Sequence, residues 1–134
     1  MFDNMTIDTA SRAVIQEDPG NQDYLARLWQ FRLDTRVLTP IAQHDPARFT
    51  PGAPGFLTRD EESSGVVDLK EFLGDGWFLL NVQAHYPIAG ELVEGGQLLA
   101  MYAPIEPGSP RVPYPGARTP IKFPDFNFPG FISR

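Results

Sequence analysis

Three features of this 134-residue sequence predict an all-β fold of short antiparallel strands. Two Trp, four Tyr and ten Phe favour the half-buried, pleated surface of a sheet. Twelve Gly and fourteen Pro interrupt the chain too often for long helices. Short apolar runs alternate with polar residues and end in turn-forming clusters. The length is that of one domain, or part of one, and 42% hydrophobic residues suffice for a modest core.

The elements follow in order. Residues 5–8 and 13–16 are short strand candidates separated by Thr9-Ala10-Ser11-Arg12. Glu17-Asp18-Pro19-Gly20-Asn21 is a strong turn. Residues 26–33 alternate, with Leu28 and Gln30 on one face and Trp29 and Phe31 on the other. Asp34-Thr35-Arg36 is a tight hairpin connection into a strand over 37–43. Residues 45–59 form a loop rich in Pro and Gly. Residues 66–69 predict a strand, and 70–73 one helical turn ended by Gly74. Residues 77–83 are the clearest strand, and 96–102 are the last, entered through Gly95-Gly96. Four strands, a long loop and about three more resemble one to two blades of a β-propeller, since a blade is a four-stranded antiparallel sheet. A strand so soon after Met1, with no basic and apolar leader before it, is the start expected of the middle of a larger β protein.

Residues 104–134 form a second region, an extended proline- and aromatic-rich tail. Eight of the fourteen prolines fall there, favouring extended structure. Arg111, Arg118, Lys122 and Arg134 oppose only Glu106 and Asp125, so the tail carries +2 and residues 1–103 carry -8. Tyr114, Phe123, Phe126, Phe128 and Phe131 are large areas that prefer burial, and they are the expected anchors for a partner chain.

Composition excludes several functions. A net charge of -6 argues against nucleic-acid binding, which needs clustered Lys and Arg. The absence of cysteine removes disulfides, thiolate metal sites and cysteine nucleophiles. No apolar run approaches bilayer length. His44 and His85 are the only histidines, and His44 in Gln43-His44-Asp45-Pro46 reads as a surface or loop-stabilising residue. No nucleophile elbow, metalloprotease helix or phosphate-cradling glycine loop accompanies them.

The acidic turn over 60–65 is the richest chemical feature. Asp60, Glu61 and Glu62 repel one another unless solvent, a cation or hydrogen-bond donors hold them. With Asp3-Asn4, Glu17-Asp18, Asn81, Gln83 and His85 they form an oxygen-rich set of the kind hard cations use.

The strings Asp3-Asn4-Met5-Thr6-Ile7-Asp8, Val14-Ile15-Gln16-Glu17-Asp18, Glu62-Ser63-Ser64-Gly65 and Leu80-Asn81-Val82-Gln83-Ala84-His85 resemble the C-terminal part of PhoX-type alkaline phosphatases. The resemblance covers roughly residues 2–102. Members of that family show a Pro-Asp-Asn strand, a Glu-x-Thr-Gly turn and a Phe-Val-Asn-Val-Gln-His-like strand. The family fold is a β-propeller with calcium and iron at its central channel, and it hydrolyses phosphate esters. The resemblance implies Glu62 as a metal ligand, with Asn4 and Asp3 beside it and Asp60 and Glu61 as solvated neighbours. Phe2 replaces the family proline, Ser64 stands where Thr is usual, and Ala84 offsets His85 from the usual Gln-His pair. The iron-ligating cysteine of some members has no counterpart here. Members are typically exported, whereas this sequence carries no export signal and assigns no compartment. Two functions follow as expectations. One is a non-catalytic structural or accessory subunit derived from such a propeller, docking onto a larger assembly through its sheet edges and tail. The other is a calcium-dependent phosphatase fragment completed by another chain or by upstream blades.

Overall fold

The computed structural model describes residues 1–109. The tail anchors Tyr114, Phe123, Phe126, Phe128 and Phe131 lie outside these described residues. Ten elements follow one another: β1 (Phe2–Ile7), β2 (Arg12–Glu17), β3 (Arg27–Arg32), β4 (Leu38–Gln43), α1 (Pro46–Phe49), β5 (Glu61–Glu62), β6 (Val66–Asp68), α2 (Lys70–Leu73), β7 (Trp77–Pro87) and β8 (Glu94–Tyr102). The mostly-β, antiparallel character expected from the sequence is present. The first four strands form a meander in the order β1-β2-β3-β4. In the second sheet β7 is central, with β5 and β6 along one side and β8 along the other.

Period-two alternation sets the faces. In β7, Phe78, Leu80, Val82 and Ala84 turn inward, while Trp77, Leu79, Asn81, Gln83 and His85 turn outward. In β3 the predicted split holds, with Leu28 buried and Trp29 on the opposite face. The two sheets pack through Val14 and Leu28 from the first and Val66, Phe78 and Leu80 from the second, closed at one end by Ala103. Toward β4 and β8 they diverge into an open groove lined by Ala42, Phe49, Leu57, Leu99 and Met101.

Two irregularities matter. The β1/β2 register shifts between Phe2 and Met5, a bulge that falls on Asp3-Asn4. A second shift in β3/β4 accompanies Pro40, which β4 tolerates as an edge strand, since among the described residues no further strand needs its missing donor. The loop expected over 45–59 contains the short helix α1: Asp45 accepts from the Ala47 N–H at 2.9 Å and Pro46 occupies its first turn.

A buried ion pair locks one end of the interface. Asp8 Oδ1 accepts from the backbone N–H groups of Ala10 and Arg12 at 2.9 and 3.0 Å, closing a turn in which Ser11 takes φ 57°. Asp8 Oδ2 lies 2.7 Å from both Nε and Nη2 of Arg12. Arg12 Nη1 then donates to the carbonyls of Ala103 and Pro104 at 3.1 and 2.9 Å and to Gln30 at 3.2 Å. Its guanidinium also lies 5.8 Å from the centre of the Phe78 ring. One side chain therefore joins β2 of the first sheet to the end of β8 in the second.

Truncation at this position leaves Asp8 buried without its cation. Arg12→Ala is expected to lower the unfolding free energy by about 3–5 kcal/mol, the usual effect of breaking a buried pair. Urea denaturation measures it, and a loss below about 1 kcal/mol contradicts the role given to the pair.

Candidate functional site

The acidic turn becomes β5, and alternation divides it. Glu61 and Ser63 point into the interface, while Glu62 opposes Gln83 on the outer face. The expectation of a solvated Glu61 is therefore corrected: its side chain is only 2% exposed. Glu61 hydrogen-bonds His44 Nδ1 and accepts from the Ala26 N–H at 2.9 Å. His44 Nε2 lies 2.7 Å from Ser63 Oγ. Of the surface or loop-stabilising role expected for His44, the surface position is corrected: it is the middle of a buried Glu61–His44–Ser63 chain, a stabilising place. It ties β4 to β5 at the end of the interface opposite Arg12.

That order of groups matches a serine hydrolase triad. The surroundings do not. Ser63 is fully buried, and its N–H, the donor an oxyanion would need, points to Glu17 O at 3.3 Å. The chain is a structural tie, because a carboxylate buried this deeply requires a donor on each oxygen.

The three predicted ligand residues are brought to one end of the outer surface. The β1 bulge aims Asn4 across to the second sheet, where its Nδ2 donates to Ser64 O at 2.8 Å and also bonds the Asp3 carboxylate. Glu62 hydrogen-bonds the Asp18 carboxyl and feels the Asp3 charge. Asp18 is therefore a fourth member, delivered by the turn after β2. Gly65 leaves room for the Asn81 amide: a Cβ on it would lie 2.8 Å from Asn81 Oδ1 and would push that side chain aside. Ser64 Oγ meets Gln83 at 3.1 Å and Asn81 at 3.2 Å, continuing the polar surface along β7.

The site's electrostatics follow from crowding. Burial first, then the Asp18 charge and hydrogen bond, push the Glu62 carboxyl above its ordinary value of 4.5, while His85 opposes them. His85 is itself raised, chiefly by its hydrogen bond to Glu94 at 2.6 Å, so its imidazolium form is favoured. Among the described residues no group of three or more His, Asp or Glu side chains is arranged to hold a metal ion. Asp3, Asn4 and Glu62 are neighbours: Asn4 Nδ2 bonds the Asp3 carboxylate, and Asp18 and Asp3 both act on Glu62.

Glu61 and Ser63 carried a sequence signal, whereas His44 carried none. In a strand, Glu61-Glu62-Ser63 must place its first and third residues together and its second apart. Asp18 carried only its place in the Glu17-Asp18 pair. Comparison with protein-family models, with curated proteins and with solved structures found no match to this chain.

The raised Glu62 has a defined pH signature. The unfolded chain ionises this carboxyl near 4.5, whereas the folded protein retains the proton to higher pH. Its contribution to stability is therefore intact in acid and is lost as pH rises from 4.5 through the raised folded value. Glu62→Gln is expected to remove that fall. Denaturation midpoints of variant and wild type should converge in acid, with the variant higher at neutral pH. A variant that is less stable at neutral pH contradicts the assignment.

Proposed function

We propose that this chain is a non-catalytic structural or accessory module, related to a PhoX-like propeller segment, that docks onto a larger assembly through a face of its first sheet. One observation carries the reading. Cross-strand partners share a face, and the register aligns Met5, Ile15, Trp29 and Pro40 in one row and Ile7, Ala13, Phe31 and Leu38 in the next. Both rows lie on the side away from the second sheet. Phe2 extends them through an edge-on contact with the Trp29 ring, 6.4 Å between centroids. Met5 is 62% exposed, Phe2 50%, Ile7 44% and Leu38 42%. A contiguous apolar face of this kind marks an interaction surface. A stacked sheet, such as the neighbouring blade of a propeller, is the shape that would cover it. Among the described residues β1 and β4 are the edges of their sheet, with no further strand paired to them.

A second reading is favoured by the gathering of Asp3, Asp18 and Glu62. Crowded carboxylates need either a shared proton or a cation. In that reading the chain contributes part of a calcium-dependent phosphoesterase site, with Glu62, Asn4 and Asp3 as ligands and the rest supplied by another chain or further blades. Calcium would polarise a phosphoryl group and activate water. The incomplete donor set places this reading second.

Size-exclusion chromatography with native mass spectrometry separates docking from independence. The wild-type chain is expected to run with a partner or self-associated, and Met5→Lys with Ile7→Lys to release it as a folded monomer. A compact wild-type monomer that ignores both substitutions overturns the docking reading. For the second reading, calorimetric titration with calcium is expected to give binding that Glu62→Gln abolishes, and absence of binding to the full assembly removes it.

A further inference from the structure

One edge of the second sheet lacks the protection that every other described edge has. A bare edge invites pairing with another strand, and proteins blunt such edges with bulges, prolines, charges or short length. β1 has its bulge and Asp3, and β4 has Pro40 and a register shift. β5 is two acidic residues, and β6 is three residues ending in Asp68. β8 is nine residues long, about 30 Å. From Gly95 to Tyr102 it holds no charge and no proline, and its pairing with β7 runs without a shift. Among the described residues no strand lies on its other side.

The register fixes which backbone groups this edge offers. Asn81 donates its N–H to Gly65, and the Trp77 carbonyl accepts from Leu69, both on the far side of β7. Their β8 partners, Leu98 and Tyr102, therefore stand in the non-hydrogen-bonded pairs of the β7/β8 ladder. Alternation extends this to Gly96 and Ala100, so the N–H and C=O groups of these four residues point away from β7. The intervening Gln97, Leu99 and Met101 face the groove between the sheets. That groove has a volume of about 810 Å³, and the buried Leu28 and Leu80 reach its wall beside Phe49 and Leu57. Backbone donors and acceptors along one rim, with apolar surface beside them, are what an added strand needs. Main-chain bonds hold such a strand, and its alternate side chains fill the groove.

Charge selects the occupant. Residues 1–109 hold 16 acidic and seven basic side chains, a balance of -9. Between Ile88 and Ser109 every charged side chain is acidic: Glu91 and Glu94 where β8 begins, and Glu106 beyond its end. Within the groove lining, Asp45 and Arg48 cancel. A second copy set antiparallel along β8 would bring acidic end against acidic end, so two copies repel. We propose that β8 accepts an extended segment of a partner protein, apolar at alternate positions and basic at its ends, as the next antiparallel strand of the second sheet. This site is separate from the docking face of the first sheet and does not depend on it. The segment bonds Gly96, Leu98, Ala100 and Tyr102 through its backbone and packs its inward side chains against Leu99 and Met101. Its basic ends lie in the field of Glu94 and Glu106.

The probe is a peptide of the length of β8 that alternates valine and threonine and carries lysine at each end. Amide hydrogen exchange is followed residue by residue on the isotope-enriched full chain. Saturating peptide is expected to slow the amides of Leu98, Ala100 and Tyr102 at least about tenfold. Those of Gln97, Leu99 and Met101, already bonded to β7, should change little. Binding without that slowing, or no binding at millimolar peptide, overturns the inference. Slow exchange at Leu98, Ala100 and Tyr102 before peptide is added means that the chain covers its own edge, which overturns it too. Leu98→Pro deletes only an outward N–H, so the ladder to β7 stays bonded while the peptide binds severalfold more weakly. Undiminished binding by the folded variant contradicts the proposal. Should that variant fail to fold, the peptide's own backbone tests the same bonds. Cross-strand partners share a face, so the threonines lie opposite Leu98 and Ala100 and carry the bonding amides. N-methylation at the threonines should abolish binding and N-methylation at the valines should spare it; equal effects, or the reverse, overturn the antiparallel strand. Glutamate in place of the two lysines is expected to weaken binding severalfold at low salt, and equal affinity overturns the basic character assigned to the partner.

Discussion

The arrangement of the two sheets depends on Arg12. A guanidinium with 1% exposure must have its charge and its donors satisfied by the protein, since water does not reach it. Asp8 balances the charge, and the carbonyls of Ala103 and Pro104 take donors that Asp8 cannot. These partners belong to opposite sheets, so satisfying one side chain fixes how the sheets meet at that end. Glu61, His44 and Ser63 impose the same condition at the other end. Between the two polar ties lies a small apolar core of Val14, Leu28, Val66, Phe78 and Leu80. Such a core is non-directional and would tolerate sliding. The ties are directional and would not.

This division of labour explains where the polar residues gather. Because Glu61 and Ser63 are committed inward, alternation leaves Glu62 and Ser64 to face outward. The β1 bulge then brings Asn4 and Asp3 beside them, and the turn after β2 adds Asp18. The outer carboxylate cluster is in part a geometric consequence of the inner tie. It is also an electrostatic load, visible as a Glu62 that holds its proton too strongly. A load of this kind is tolerated where it serves chemistry or awaits a counter-charge.

Much of the fold was legible in the sequence because it rests on local period and turn chemistry. Leu28 and Trp29 on opposite faces, the Asp34-Thr35-Arg36 hairpin, the Lys70–Leu73 turn stopped at Gly74 and the strand beginning at Trp77 are all of this kind. The site was less legible. Three consecutive acids read as a solvated turn, yet the partner that buries Glu61 lies 17 residues away in sequence. Nothing in a local window announces His44 as that partner. The bulge at Asp3-Asn4 was equally hidden, since only β2 reveals that one residue is extra. Helix α1 did have a local signal, the Asp45-Pro46 cap, masked by the surrounding Pro and Gly.

The outer apolar face unites the functional account, in which a sheet of another chain covers it. Hydroxyl-radical footprinting of methionine in intact cells tests this most directly. Met1 and Met5 are 79% and 62% exposed in the chain by itself, so alone they should oxidise at comparable rates. Covering the face predicts that Met5 is strongly protected in the cell while Met1 reacts as an exposed thioether. Equal oxidation of Met1 and Met5 in the cell would contradict the account.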